Sequence, residues 1–431
     1  MRDSNVGNIT HLDTNILPIG WEYKPLYELC DIVSGGTPDR SNTQYWEGGV
    51  IPWATPTDIT SDNKRTIKDT KEYITEDGLK NSSANLVPAG SLLMTSRATI
   101  GEIKINEVEM CTNQGFKNLV PNELVDNWFL FYKMKFYKKK YEALGSGSTF
   151  LEVNKKDTEK FSISMPVELD EQNKISNVLL TVDKSIDNTE ELIDKYKSIK
   201  QGLMQDLFSR GIQPNGELRP SFEEASELYK ETKYGYIPKE WVLDTFKDIS
   251  SLRQGLQIPI SSRYKSEGPN RYIYITIQYL NNIGNSSYLE YIESPNPSVI
   301  CKKDDILMTR TGNTGQVISG VEGVFHNNFF LVDYNRELVS KDYIIYYLNR
   351  DKVQNYIASR AGVTTIPDLK HKDFYDLFIP IPSKQEQDLI TSKLCEIDNL
   401  IVTEQVYLKK LDEIKQGLMQ DLLTGKVRVK V

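Results

Sequence analysis

The chain has 431 residues, 39% hydrophobic and 26% charged, with a formal net charge of −8. That length exceeds one ordinary core, so two or more domains are expected in a chain of globular composition. The acidic balance excludes strong non-specific attraction to nucleic acid by the chain as a whole, although it leaves room for local basic faces.

Cys30, Cys111, Cys301 and Cys395 are scattered and contain no Cys-x-x-Cys pair, which argues against a disulfide framework and a zinc site. No apolar run reaches the ~18–20 residues of a membrane span. The opening Met1-Arg2-Asp3-Ser4-Asn5 is polar and lacks a signal-peptide stretch. A cytoplasmic protein without membrane contact is expected.

In chain order, residues 1–168 read as a first globular domain. Short β-branched and aromatic runs alternate there with Gly, Pro, Asn and Ser clusters, and a helical stretch lies near Trp128–Leu144. Residues 169–210 read as a long helix. Residues 211–236, with Pro214, Asn215, Gly216 and Pro220, read as a linker. A second globular domain follows over 237–383, with a strand in Tyr272–Ile277 and a helix near Tyr343–Ala358. Residues 384–431 form a second long helix and tail, opened by what looks like a capping box, Ser383 with Glu386. Gly211 and Gly425 are helix stops.

An internal repeat organises this series. Ile199-Lys-Gln-Gly-Leu-Met-Gln-Asp-Leu207 recurs unchanged as Ile414-Lys-Gln-Gly-Leu-Met-Gln-Asp-Leu422. Trp21 pairs with Trp241, Leu92–Arg97 with Ile306–Thr311, Gly101 with Gly315, and Glu171-Gln172 with Glu386-Gln387. The globular parts have diverged far more than the helices.

Each helix carries a narrow apolar stripe in alternating three- and four-residue steps. The packing positions are Ile175, Leu179, Val182, Ile186, Ile193 and Leu203 in the first. In the second they are Ile390, Leu394, Ile397, Ile401, Leu408, Leu411 and Leu418. At about 40 residues, or roughly 60 Å, such stripes require a partner, and the economical one is the other helix. The expected fold is mixed α/β: two globular α/β domains joined by two long antiparallel coiled-coil helices in a pseudo-twofold tandem repeat. Lys200 and Lys415 interrupt the stripe as snorkelling residues, a register device or a partner contact.

The arrangement resembles the specificity subunit of type I restriction–modification systems across essentially the whole chain. The segment Tyr229–Trp241, the run Ser34-Gly-Gly-Thr-Pro38 with Tyr45-Trp46 and Ile51-Pro52-Trp53, and the closing Leu423–Arg428 carry the likeness. The second copy departs from it, having Arg253-Gln-Gly-Leu-Gln257 in place of the Gly-Gly-Thr-Pro loop. The resemblance implies two target-recognition domains, each reading half of a bipartite double-stranded DNA site. It also implies helices that set the spacing and dock two methyltransferase subunits, with restriction/translocase subunits joining in the full complex. S-adenosylmethionine, ATP and magnesium would then belong to those partners, and this chain would hold no cofactor.

Signatures of catalysis are missing. The chain has no Pro-Pro, hence no Asn-Pro-Pro-aromatic motif, and no Gly-x-x-x-x-Gly-Lys-Ser/Thr loop. His11, His326 and His371 are too few and too scattered for an acid–base or metal constellation. Glu102-Ile-Lys104 and Asp368-Leu-Lys370 fit the tail of a metal-dependent nuclease motif, without an evident second acid.

Base edges are read by Arg, Lys, Asn, Gln, Ser and Thr, and phosphates are held by Lys and Arg. The loop candidates are Ser96, Arg97, Thr99, Asn113 and Gln114 in the first domain. In the second they are Arg310, Thr311, Asn313 and Asn327. Small polar residues also close turns, and both readings stay open for them. Lys155, Lys156, Lys370 and Lys372 are candidate phosphate contacts or ordinary solvated lysines. The run Lys133–Tyr141 divides into aromatic packing residues and lysines that could track a backbone.

Overall fold

The computed structural model describes residues 17–97, 99–146, 151–362 and 367–430. The chain divides into two compact units, Met1–Glu190 with Val406–Val431, and Glu191–Gln405. The boundaries cut the two long helices, Leu169–Leu207 and Lys384–Leu423. A division between globular part and helix, as the sequence pattern suggested, is therefore not the compact one. Each helix half closes the core of its own unit.

The first unit is built on a five-stranded sheet ordered Cys30–Ser34, Lys117–Pro121, Leu92–Met94, Ile103–Asn106, Thr66–Ile67. A three-stranded sheet, Glu72–Ile74, Ile51–Ala54, Cys111–Thr112, lies beside it in the chain's topology. Trp21–Pro25 pairs antiparallel with Ser162–Pro166. Leu92–Met94 is buried on both faces, which explains its continuous rather than alternating apolar run. The main core gathers Leu92, Met94, Phe129 and Tyr132 with Ile175 and Leu179 of the first helix and Leu422 and Leu423 of the second.

The second unit repeats most of this topology, with no strand matching Thr66–Ile67 and with Ile300–Cys301 added. Its four-stranded sheet runs Ser250–Gln254, Phe329–Tyr334, Ile306–Thr309, Val317–Ile318. Another runs Tyr291–Glu293, Arg271–Ile275, Gly323–Phe325, Ile300–Cys301, and Val242–Thr245 pairs with Phe378–Ile381. Its core joins Ile306, Met308, Phe330 and Tyr343 to Leu207 of the first helix and Ile390 and Leu394 of the second.

Inside each unit the helix halves are antiparallel. In the first, Glu171 meets Arg428 and Asp183 meets Lys415, so rising numbers face falling ones. In the second, Lys200 donates to Asp398 at 2.6 Å while Glu386 accepts from the Ile212 amide beyond the first helix's end. The lysines that interrupt the stripe thus cross to a carboxylate on the opposing helix. Ile175, Leu179, Ile186, Ile193, Ile390, Leu394, Ile401 and Leu411 are buried, and Val182, Leu203, Ile397, Leu408 and Leu418 half-buried.

The repeated Glu-Gln dipeptide is the joint between head and helix. Gln172 donates to the carbonyls of Pro166 and Leu124 and accepts from the Asp126 amide. Gln387 does the same with Pro382, Leu338 and Ser340. Glu171 accepts from Trp21 Nε1 and Arg428; Glu386 accepts from Trp241 Nε1 and Arg219. The Ser383 hydroxyl does accept from the Glu386 amide at 3.3 Å. The Glu386 carboxylate, however, is taken by Arg219, Trp241 and Ile212, so the expected reciprocal box is only half present.

Residues 211–236 are also more than a linker. Ile212 is buried, Arg219 is the partner of Glu386, and Tyr229–Thr232 forms a hairpin with Gly235–Pro238. Among the described residues no helix is long and apolar enough to cross a membrane.

Candidate nucleic-acid interface

The two heads share one loop device. After Leu92–Met94 the chain turns back through Gly101, whose φ of 81° needs a residue without a Cβ penalty and whose amide donates to Thr95 O at 2.9 Å. The Thr95 hydroxyl donates to Thr99 O and accepts from the Glu102 amide. In the second head Gly315 (φ 95°) donates to Thr309 O at 2.9 Å, and the Thr309 hydroxyl bonds Asn313 O and the Gln316 amide. The side chains of Thr99 and Asn313 project exposed from these equivalent tips.

A second glycine sets the neighbouring loop. A Cβ on Gly35 would lie 1.9 Å from Asn113 O, and one on Gly255 would lie 2.2 Å from His326 O. Each follows the edge strand, Cys30–Ser34 or Ser250–Gln254, that pairs with Lys117–Pro121 or Phe329–Tyr334. Gly255 therefore holds the place of Gly35, although the motifs around them share little else. In the first head this brings Thr37 against Gln114, with the Thr37 hydroxyl donating to the Gln114 side chain. Arg40 stacks 3.9 Å from the Trp46 ring centroid and pairs with Glu72.

Charges near these loops are bracketed by one carboxylate in each head. Glu152 accepts from Arg97 at 2.8 Å and from Lys117 at 3.3 Å. Burial would raise its carboxyl, but the hydrogen bonds from Arg97 and Lys117 outweigh that and hold it below the usual range. Asp368 receives Arg310 in a two-pronged pair, both contacts 2.9 Å, and Arg310 also donates to Gln254 at 3.2 Å. The carboxylates are placed by matching backbone bridges, Arg97 with Glu152 and Thr311 with Asp368. Ser96 and Arg310 likewise make the same backbone bond, to Gly115 O and Asn328 O, each at 2.7 Å. The two arginines thus occupy adjacent rather than equivalent places.

The other candidates separate clearly. Ser96 is fully buried, its hydroxyl receiving Lys117 Nζ at 3.3 Å, so it cannot touch a base edge. Thr311 is half-buried and its buried Oγ1 has no partner among the described residues. Asn113 accepts from the Gly115 amide and closes a turn; Gln114 is exposed. Asn327 is half-buried, donates to Gln257 at 3.4 Å and has a buried Oδ1 with no partner among the described residues. Lys155, Lys156, Lys370 and Lys372 are exposed, the first of them 3.8 Å from Glu159.

The basic run is split as a helix splits it. Tyr132, Tyr137 and Tyr141 are buried. Lys133 is buried too, donating to Ser164 Oγ and Leu423 O, and so cannot track a phosphate backbone. Lys138 pairs with Glu102. Lys135, Lys139 and Lys140 are exposed.

Lys104 is buried between Asp62 and the Asp58 carbonyl, Glu102 faces Lys138, and Asp368 is held by Arg310. Glu102, Lys104 and Asp368 of the two nuclease-like triplets are thus spent on internal ion pairs, while Lys370 is exposed. Among the described residues no group of three or more His, Cys, Asp or Glu side chains is arranged to hold a metal. His11 lies outside the described residues.

His371 Nε2 lies 3.0 Å from Gln254 Oε1, beside Arg310 and Asp368. Burial, reinforced by Arg310, keeps its pKa below the ordinary value. His326 accepts from the Asn328 amide and is lowered by burial and Arg263. Neither histidine suggested itself from its sequence neighbours. A usable signal for the brackets is the acidic residue three positions before each short helix, Lys155–Lys160 and His371–Tyr375.

Comparison with known proteins gives a consistent picture. The chain matches the type I restriction modification DNA specificity domain twice, over residues 18–197 and 238–416. It is 26% identical over 429 residues to the type I restriction enzyme MjaIX specificity subunit of Methanocaldococcus jannaschii, covering 97% of this chain and 96% of that one. Its fold is similar to the S subunit of a type I restriction–modification system from M. genitalium, with a TM-score of 0.56, 16% identity, and coverage of 95% and 98%. A chain solved in work on complex assembly and conformational transition of the type I R-M system superposes with a TM-score of 0.59 at 16% identity, covering 96% of this chain and 100% of that one.

Proposed function

The chain belongs to the type I restriction–modification DNA specificity family, and from that premise we propose that it is the non-catalytic subunit that selects the DNA target. Each head reads one half of a bipartite double-stranded site, and the long helices set the spacing between the halves. Half-sites about 10 base pairs, or a multiple, apart present the same face of the duplex.

The observation that carries this reading is the duplicated loop device. Two heads of one topology present the same turn, the same glycine approach and the same carboxylate bracket, with different side chains at the tips. A common frame with variable polar tips suits two readers of different short sequences. Thr99, Gln114 and Arg97 in the first head, and Asn313, Asn327 and Arg310 in the second, are the proposed base-reading side chains. Lys155, Lys156, Lys370 and Lys372 are the proposed phosphate contacts.

The partners are two methyltransferase subunits docked on the helices, with restriction/translocase subunits joining for cleavage. S-adenosylmethionine, ATP and magnesium are bound by those partners. The unchanged nonapeptide supports two equal docking places: Ile199 and Ile414 are both exposed, and the space around Gly202 and Gly417 is open. Leu207, Leu422, Lys200 and Lys415 of the repeat serve their own units, so the docking reading rests on the exposed positions.

Methylation profiling of DNA modified by this chain with its methyltransferase partner tests the proposal. It expects methylated adenines at one bipartite sequence, and gel shifts that become sequence-specific only when the partner is present. Equal, sequence-blind binding with and without the partner would overturn it.

A further inference from the structure

From the carboxylate brackets we infer that Glu152 and Asp368 are specificity-setting residues that restrain each head from holding DNA of the wrong sequence. The inference rests on the reading that these loops face DNA. Three observations carry it. The carboxylates occupy matching places, each bridged through its backbone to the loop that follows the central strand. Each binds cations of its own head: Glu152 takes Arg97 and Lys117, and Asp368 takes Arg310. The details differ while the result is the same, since the arginine stands one place earlier in the second head.

A loop arginine meeting a DNA phosphate is attracted whatever the base sequence. One already paired must leave its carboxylate first, and the bare carboxylate then repels the same phosphate. The exchange is worthwhile only where a base edge offers the fixed two-acceptor geometry that a guanidinium fork fits, as guanine does in the major groove. Asp368 goes further than charge neutralisation. Its two contacts and the Gln254 contact fix the plane of the Arg310 fork before DNA arrives. Arg97, 44% exposed and facing Glu152 through Nη2 at 2.8 Å, is less constrained. The second head is therefore the more exacting of the two.

The test uses the full chain assembled with its methyltransferase partner, with Glu152→Gln and Asp368→Asn singly and together. Binding is measured on the methylated-site duplex and on a scrambled duplex across a salt series. The expected result is scrambled-duplex binding about three- to tenfold tighter per substitution at low salt. The log–log salt slope should steepen by about 0.9 for each cation released, and the cognate-to-scrambled ratio should fall.

If both duplexes bind more weakly, or scrambled binding and its slope do not change, the restraint does not exist and the carboxylates serve only the loop's fold. Asp368→Glu, which keeps the charge, should retain the wild-type slope; a neutral-like slope there also refutes the idea. The wild-type complex separates the two levels of argument. If it fails to distinguish the two duplexes, the DNA-reading assignment falls, not just the role of the carboxylates.

Discussion

Replacing Glu386 by glutamine removes one negative charge from the joint between the second head and its helix. The carboxylate accepts from Ile212 N at 3.0 Å, Trp241 Nε1 at 3.1 Å and both terminal nitrogens of Arg219. Glu386 and Arg219 side chains are 9% and 12% exposed. An amide keeps one acceptor oxygen and turns its NH2 toward donors, whichever way it is placed. At about 1.5–3 kcal/mol for a hydrogen bond to a charged group, and ~3–5 kcal/mol for orphaning one partner of a buried pair, the loss should be about 3–4 kcal/mol. Glu171→Gln perturbs the matching joint of the first unit, but Arg428 there is 41% exposed, so water can rehydrate it. That cost should be about 1–2 kcal/mol. Urea unfolding of the full chain, resolved by hydrogen exchange in peptides around Trp21 and Trp241, measures both. If Glu386→Gln costs no more than Glu171→Gln, or less than about 0.5 kcal/mol, burial does not control these joints and the reasoning fails.

Alanine at Gly35 or Gly255 should destabilise its own head by about 3 kcal/mol or more, because the new methyl meets a backbone carbonyl rather than a movable side chain; alanine at Gly202, with open space around it, should change thermal stability by less than about 1 kcal/mol. His326 and His371 should titrate below 6.5 in the folded chain, as read by NMR, and Arg310→Ala should move His371 upward. A depressed histidine pKa means that the unfolded chain takes up the proton first. The contribution to stability is then complete above about pH 6.5 and lost as pH falls through that value toward the folded pKa. A melting temperature of the second unit that rises on going from pH 7 to pH 5.5 would contradict this.

Local, repeated signals were the legible ones. The duplicated nonapeptide and the heptad stripes are written in neighbouring residues, whereas Leu92–Met94 and Ile306–Thr309 stand out in the sequence only as landmarks of the repeat and prove to be buried strands. What stayed hidden depends on partners distant in the chain. Lys133 reads as one more lysine in a basic run, yet it is buried because Leu423, 290 positions away, offers a carbonyl at the second helix's end. Arg97 and Arg310 read as free cations because Glu152 and Asp368 lie beyond any local window. Ser383 with Glu386 reads as a capping box because its competitors, Arg219 and Trp241, come from outside the helix. Gly255 was missed because its requirement is a backbone approach, which leaves no mark on the residues beside it.

The same internal pairing reconciles an acidic chain with a DNA-reading role. A protein of net charge −8 gains little from long-range attraction to phosphates, and the described loop arginines are already neutralised at short range. On the proposed function, discrimination rests on what a guanidinium or amide finds at a base edge, and a partner supplies phosphate contacts that hold the duplex. On this view a surface mutation adding two lysines near Lys155 or Lys370 should strengthen binding of matched and scrambled duplexes alike, steepening the salt slope by about 0.9 per added contact. A gain confined to the matched duplex would mean that these lysines read sequence rather than merely hold the backbone.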